Sequence, residues 1–334
     1  MSKWKTMSKW KSRAKAITRN AAAMRVVDSV TAVGLRVASP PYFLFTKLGP
    51  ARLPSSTKSL KRMGLFPIRD HYYQPLFNDA HLVKPLSEVR TLPGIDWRHD
   101  NQVSLLALLG FADELRALHL ERLPRNDLDF HIENPSFGSG DAEFLYSMIR
   151  HLKPRRVFEV GSGHSTKIAQ LAIKRNASEE GSIAEHVCIE PYEMPWLEQL
   201  AVRVIRERVE DVGLDVFGQL ESNDLLFIDS SHMIRPQGDV LFEYLELLPS
   251  LASGVIVHVH DIFTPLDYPD EWVRRDIRMW NEQYLLEALL SNSDRYEIVA
   301  ALNYLHHSEY DRLSVVCPYL TPQREPASFY FRVR

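Results

Sequence analysis

The sequence predicts an α/β fold: a mostly parallel sheet wrapped by helices on both faces, preceded by an N-terminal extension. Three observations point to it. From Asp141 onward, short apolar runs of strand length alternate with segments of helical periodicity. Successive runs end in polar groups, at Glu159 and its glycine turn, at Glu190, at Asp229 and at His260-Asp261. A hydrophobic content of 45% with 25% charged residues matches an ordinary globular chain.

Residues 1–90 read as an extension. Pro40, Pro41, Pro50, Pro54, Pro67 and Pro75 punctuate it, and only 21–38 has a helical pattern. Its first five residues recur at 7–11, and the first acid is Asp28. Seven Lys and Arg share residues 1–20 with Trp4 and Trp10. Such a segment suits either a solvated tail or peripheral contact with an anionic membrane face. Residues 91–140 form a helical lead-in, with one helix over 104–121 carrying Leu105, Leu108, Leu109, Ala112, Leu115 and Leu118 at helical spacing.

The principal domain spans 141–334. It opens with a helix over 142–152, stopped by Lys153-Pro154. A strand at 157–160 leads into a helix over 164–175. A strand at 186–190 precedes a short helix at 195–201 and a short strand at 201–205. Asp224 to Asp229 is an apolar strand, followed by a helix over 238–248 and a strand at 254–260. One long helix over 270–291 then precedes strands at 296–302 and 328–333.

Composition excludes several classes. A net charge of −3 gives no overall field for nucleic acid, so no nucleic-acid partner is expected. No run of about 18 apolar residues occurs, so no membrane span is expected. Cys188 and Cys317 lie far apart in apolar surroundings and supply neither a disulfide framework nor metal spacing. A reducing, cytoplasmic location follows, peripheral to the inner membrane face if the tail engages it.

The chemistry concentrates at the strand ends, where such sheets bind ligands. Gly161 and Gly163 permit a tight turn and close approach of a ligand. Ser165 or Thr166 can cap the helix that follows, whose free N–H groups suit a carboxylate. Glu159 would repel a phosphate but suits a cationic ligand. S-adenosylmethionine, with an ammonium, a sulfonium and no phosphate, fits that demand. Glu159, Gly161, Ser162, Gly163 and Ser165 are therefore its candidate contacts. Glu190 is placed to accept hydrogen bonds from a ribose diol. Asp211 is the candidate for the adenine amino group, with Glu210 or a backbone group as alternatives. His232, three residues after Asp229, has the proton affinity of a general base near neutral pH. His260 competes for that role, and His258 reads as a packed strand residue.

The runs Val157 to Thr166, Cys188 to Pro191, Leu226 to His232 and Val257 to Phe263 together resemble class I S-adenosylmethionine-dependent methyltransferases. The similarity is greatest to a bacterial branch acting on hydroxyls of surface polysaccharides and small molecules, and it covers roughly residues 90–334. It implies a Rossmann-like, doubly wound sheet of seven strands with the last antiparallel, which fits a hairpin of 296–302 with 328–333. It also implies that Glu159, Gly161 and Gly163 line the methionine end, that Glu190 holds the ribose and that Asp229 lies near the methyl group. Some relatives hold a divalent cation at the ends of these strands, which points to Asp229 and Asp261 and to a hard ion such as Mg2+. Ser231 and Ile262 depart from that fuller pattern. The implied acceptor is a hydroxyl on a glycan, glycolipid or small metabolite. Trp272, Trp280, Asn281, Gln283 and Tyr284 are the groups suited to covering it. The alternatives are an NAD(P)-dependent oxidoreductase and a non-catalytic, cofactor-binding scaffold at the membrane.

Overall fold

The computed structural model describes residues 21–66, 68, 75–181, 183–192 and 194–334. The basic, Trp-bearing segment at 1–20 lies outside the described residues. The chain divides into two compact units, Met1–Val83 and Lys84–Arg334.

In the first unit, helix α1 (Ala21–Leu48) runs ten residues beyond the predicted end and passes through Pro40 and Pro41. A proline removes the bond to the carbonyl four residues back. The Ser39 hydroxyl donates to the Arg36 carbonyl at 2.9 Å, satisfying the acceptor that Pro40 leaves open. Helix α2 (Pro54–Met63) begins with proline in its first turn and ends at Gly64 in the left-handed region, φ 71°.

In the second unit the predicted helix over 104–121 is two helices, α3 (His99–Leu108) and α4 (Ala112–Ala117). The break at 109–111 contains Gly110 and turns the leucine stripe. Leu109 and Leu115 are buried, whereas Leu108 is left exposed. Helix α5 (Asp141–Leu152) then leads to strand β1 (Arg156–Val160), helix α6 (His164–Glu180), strand β2 (Glu185–Ile189) and strand β3 (Arg203–Ile205). The helix expected at 195–201 is a single 3-10 turn, Leu197–Gln199. After the short helix α7 (Leu214–Phe217) come strand β4 (Leu225–Ile228) and helix α8 (Asp239–Phe242). Helix α8 widens into a π-turn over Glu243–Leu247 before closing at Leu248–Ser250. Strand β5 (Ile256–Val259) follows.

The long helix expected over 270–291 is interrupted. A π-type turn, Glu271–Arg275, is separated by a bend from helix α9 (Glu282–Leu290). Ile277 in the bend has φ 54°. The backbone N–H groups of Asn281 and Glu282 donate to the His232 carbonyl at 3.0 and 3.2 Å, so tertiary bonds replace helical ones there. Strand β6 (Tyr296–Ala301) and strand β7 (Phe329–Val333) pair antiparallel as expected. Their connection is longer than a hairpin turn and holds helices α10 (Leu302–Ser308) and α11 (Tyr310–Val316).

The sheet has seven strands in the order β3-β2-β1-β4-β5-β7-β6. The pairs from β3 through to β5 are parallel, and β7 runs antiparallel to both its neighbours. This is the Rossmann-like, doubly wound sheet with an antiparallel last strand that the sequence predicts. Side chains alternate between two cores. Phe158, Val160, Leu226, Ile228, Val257 and Val259 pack on one face with Val240, Leu247 and Leu286. Val157, Leu225, Phe227 and Ile256 pack on the other with residues of α5 and α6. The switch in strand order falls between β1 and β4, which places a crevice above Gly161 and Asp229.

Candidate active site

Strand β1 delivers the chain to Gly161, whose φ is +76° and whose Cβ, if it had one, would lie 1.9 Å from the Asp229 carbonyl oxygen. Glycine is required there twice, by conformation and by space. The turn is fastened to its neighbours: Gly161 N–H donates to the Ile189 carbonyl at 3.0 Å, and Asp229 N–H donates to the Val160 carbonyl at 2.8 Å. Gly163 N–H donates to the Thr166 hydroxyl at 3.1 Å, closing the first turn of α6.

A cleft of about 280 Å³ opens over this turn, lined by Gly161, Glu190, Tyr192, Glu210, Asp229 and Ser231 among others. A larger cavity of about 800 Å³ lies between the 118–130 segment and α6. We place the site in the smaller cleft because it stands at the carboxyl ends of parallel strands beside the switch point.

The predicted cofactor residues distribute unevenly around this cleft. Glu190 follows β2. One of its carboxylate oxygens accepts from Tyr192 N–H at 2.9 Å and the other faces Ser162 N–H at 3.5 Å, which binds the carboxylate to the glycine turn. Asp211 turns outward to Arg208 at 2.6 Å, while Glu210 lines the cleft and also meets Arg208 at 3.3 Å. Glu159 lies beneath the turn rather than in the cleft. Its side chain is fully buried on the α6 face of β1, accepts a hydrogen bond from the Thr166 hydroxyl, and sits 3.6 Å from Cys188 Sγ and 3.4 Å from His186 Nε2. Ser165 is buried in the same first turn. Through Thr166, Glu159 supports the turn from below.

The catalytic candidates are brought together. β4 and β5 are in register, with Ile228 opposite Val259, so Asp229 and His260 emerge side by side. Asp229 Oδ1 is 3.3 Å from His232 Nε2, and its Oδ2 is 3.5 Å from His260 Nδ1. Asp261 approaches both imidazoles, at 3.5 Å from His232 Nε2 and 3.6 Å from His260 Nδ1. Two further acids complete the cluster. Glu282 at the start of α9 is fully buried and meets His232 Nδ1 at 2.8 Å, while the Tyr244 hydroxyl donates to its other oxygen at 3.1 Å. Asp141 at the start of α5 lies 3.7 Å from His260 Nε2. It also accepts from Ala327 N–H and the Ser328 hydroxyl at 2.8 and 2.7 Å.

Sequence reasoning missed Glu282 and Asp141. Both sit at helix starts, where an acid is ordinarily favoured by the dipole and exposed. Nothing in the linear pattern marks them as buried. His232 and Asp261 share a further property: φ is 59° at each, an uncommon conformation for a non-glycine residue, and such strain concentrates at functional sites. His258 is packed as expected, stacked on Tyr330 at 4.0 Å.

Charge within the cluster is lopsided, with four carboxylates around two imidazoles. Burial disfavours the imidazolium form of His232, but its hydrogen bonds to Asp229 and Glu282 and the nearby Asp261 outweigh that and hold its pKa well above the histidine range. His260 is raised likewise, against its burial, by Asp261, Asp229 and Asp141. Asp229 is also penalised by burial, yet the two imidazoles hold it well below the usual carboxylate range. Burial raises Asp261. The pocket therefore favours an incoming cation.

Asp229, His260 and Asp261 each offer one ligand atom within 4.8 Å of the others. His260 Nδ1 is buried and makes no hydrogen bond among the described residues. A divalent cation would supply the missing partner, so this donor set fits one.

Trp280 packs against the cluster, its ring centroid 4.2 Å from that of His232. It packs edge-on to Trp272 and Tyr268, and the Arg278 guanidinium lies over both tryptophans at 4.3 and 4.7 Å. Asn281 and Gln283, expected to face an acceptor, instead tie loops together. Asn281 accepts from Ile234 N–H at 2.7 Å. Gln283 accepts from Phe263 N–H at 2.6 Å and donates to the Leu266 carbonyl at 2.9 Å.

Residues 158–262 match a family model described as a methyltransferase domain, the span from β1 to the cluster after β5. Over that span the chain is similar to methyltransferase domains, in line with the resemblance read from the sequence and with the fold and the glycine turn. An uncharacterized protein of Archaeoglobus fulgidus is 29% identical over 166 residues, covering 46% of this chain and 73% of its own length. Among solved structures, the TDP-rhamnose 3'-O-methyltransferase CalS11 of calicheamicin biosynthesis is 14% identical. That match covers 71% of this chain and 95% of the other, with a TM-score of 0.37. The plantazolicin methyltransferase BpumL, in complex with a pentazolic desmethylPZN analog and SAH, is 12% identical. It covers 71% of this chain and 98% of its own, with a TM-score of 0.34.

Proposed function

We propose that this chain methylates a hydroxyl of a glycan, glycolipid or small metabolite, with His232 as the group that takes the hydroxyl proton. The observation that carries the reading is the setting of His232. Glu282 holds Nδ1 at 2.8 Å and fixes the ring, which leaves Nε2 between Asp229, a residue of the cleft wall, at 3.3 Å and Asp261 at 3.5 Å. A base oriented by a buried carboxylate follows the logic of nucleophile activation.

His232 must be neutral to accept a proton. Positive charge brought into the pocket with S-adenosylmethionine lowers its pKa in that direction. The glycine turn and α6 hold the methionine end of the cofactor, Glu190 takes the ribose hydroxyls, and Glu210 stands nearer the adenine than Asp211. Holding the acceptor oxygen in line with the methyl carbon supplies much of the rate.

Asp229, His260 and Asp261 are the residues that would hold a divalent cation. When bound, such an ion would orient acceptor oxygens and lower the acceptor's pKa. The two carboxylates of the set suit Mg2+ or Mn2+.

The test combines calorimetry with S-adenosylmethionine and its demethylated product and a screen of acceptors using labelled cofactor. Binding of both cofactor forms and label transfer to a hydroxyl compound are expected. His232→Ala is expected to bind cofactor normally and to lose about 10²-fold or more in kcat. Full turnover by that variant would remove His232 from the chemistry, and absence of cofactor binding would remove the whole reading.

A further inference from the structure

Helix α1 presents an apolar stripe to solvent. Val26, Val30, Val33, Val37, Leu44 and Leu48 recur at steps of four, three, four, seven and four residues, which places them on one helical face. Val26, Val30, Val33 and Val37 are 64%, 67%, 59% and 75% exposed, so no described residue of the first unit covers this face. Arg25, Arg36 and Lys47 recur every eleven residues, which sets all three along one flank of that stripe. Helix α2 adds Lys58, Lys61 and Arg62.

The surrounding charge is one-sided. Residues 1–66 contain fourteen Lys and Arg and a single acid, Asp28, within chain totals of 40 basic and 43 acidic residues. The near-neutral whole therefore conceals a strongly cationic N-terminal segment joined to an acidic remainder.

We propose that the first unit docks on an anionic lipid bilayer, with α1 lying in the interface, its valine stripe in the acyl boundary and Arg25, Arg36 and Lys47 reaching the headgroups. An apolar stripe with flanking cations is the arrangement that interfacial helices use. No helix among the described residues is long and apolar enough to cross a membrane, which agrees with a helix that lies flat. Two other occupants fit less well. A second copy would bring two strongly positive segments together along the stripe. A nucleic acid would answer the charge but leave the valines in water.

The experiment is co-sedimentation of the full chain with phosphatidylcholine vesicles, with and without about 30% phosphatidylglycerol. Binding is expected only to the anionic vesicles, weakening steeply with salt. Neutralising Arg25, Arg36 and Lys47 with Gln is expected to weaken partitioning about fivefold per cation. Val30→Asp with Val37→Asp is expected to abolish it. A readout that does not rest on those variants uses an environment-sensitive dye on Val37→Cys or, on the opposite face, on Ser39→Cys. Emission should shift to the blue with anionic vesicles only for Val37→Cys. Equal binding to neutral vesicles, equal shifts at the two positions, or stronger binding to duplex DNA than to anionic vesicles would overturn the proposal. So would a stripe-dependent dimer in sedimentation velocity without vesicle binding. None of these outcomes bears on methyl transfer, which is tested separately at His232.

Discussion

At the scale of single residues, the site rests on positions where only one side chain fits. Gly161 is the clearest. Any Cβ there meets the Asp229 carbonyl, and the positive φ is unfavourable as well. Gly161→Ala is expected to destabilise the chain by about 3 kcal/mol or more and to abolish cofactor binding, measured by urea unfolding and calorimetry. A variant of unchanged stability would show that the turn can rearrange. That Gly161, Glu190 and Asp229 gather at the strand ends was legible in the sequence, because a glycine turn or an acid at the end of an apolar run contradicts its apolar surroundings. Glu282 was not legible. An acid opening a helix looks the same whether it faces water or, as here, a histidine in the core. Glu159 shows the opposite limit: its residue type and position were legible, but its direction was not, because a strand residue faces one side or the other according to contacts far away in sequence.

At the scale of elements, the strands were legible and the helices around the site were less so. The strands from β1 to β5 are short apolar runs bounded by turn residues, so each was predicted to within a few residues. The break before α9 was not. No glycine or proline lies between Glu271 and Leu290, and the interruption is held by tertiary bonds to the His232 carbonyl, which linear periodicity cannot report. The split between α3 and α4 did have a signal, in Gly110. Gln283 shows what the refolded segment gains. It clamps Phe263 N–H and the Leu266 carbonyl from a fully buried position. Gln283→Ala leaves both groups without their partner and is expected to cost about 2–3 kcal/mol in urea unfolding. It should also raise KM for the acceptor more than it lowers kcat, because the loop after β5, which begins beside Asp261, loosens. A loss below about 0.5 kcal/mol would mean that water replaces the amide.

At the scale of the whole molecule, the two units have opposite character. One exposes an apolar helix amid positive charge, and the other buries a negative pocket at the end of a sheet. The negative pocket makes a thermal prediction. Mn2+ or Mg2+ binding to Asp229, His260 and Asp261 stabilises the folded state by mass action, so Tm is expected to rise with either ion and to fall back with excess chelator. Asp261→Asn should remove that response. A Tm indifferent to divalent ions, with turnover unchanged in chelator, would show that the carboxylates serve the sulfonium and acceptor alone.

The register between β4 and β5 carries a last consequence. Asp229 and His260 belong to separate strands and stand together only because Ile228 lies opposite Val259. A slip of one position would turn His260 toward the other core while leaving most backbone hydrogen bonds available. The pocket is thus a gauge of correct assembly. Chains that have collapsed with their strands misaligned would retain much of their secondary structure yet capture no ligand, so ligand capture would separate mature molecules from near-native impostors.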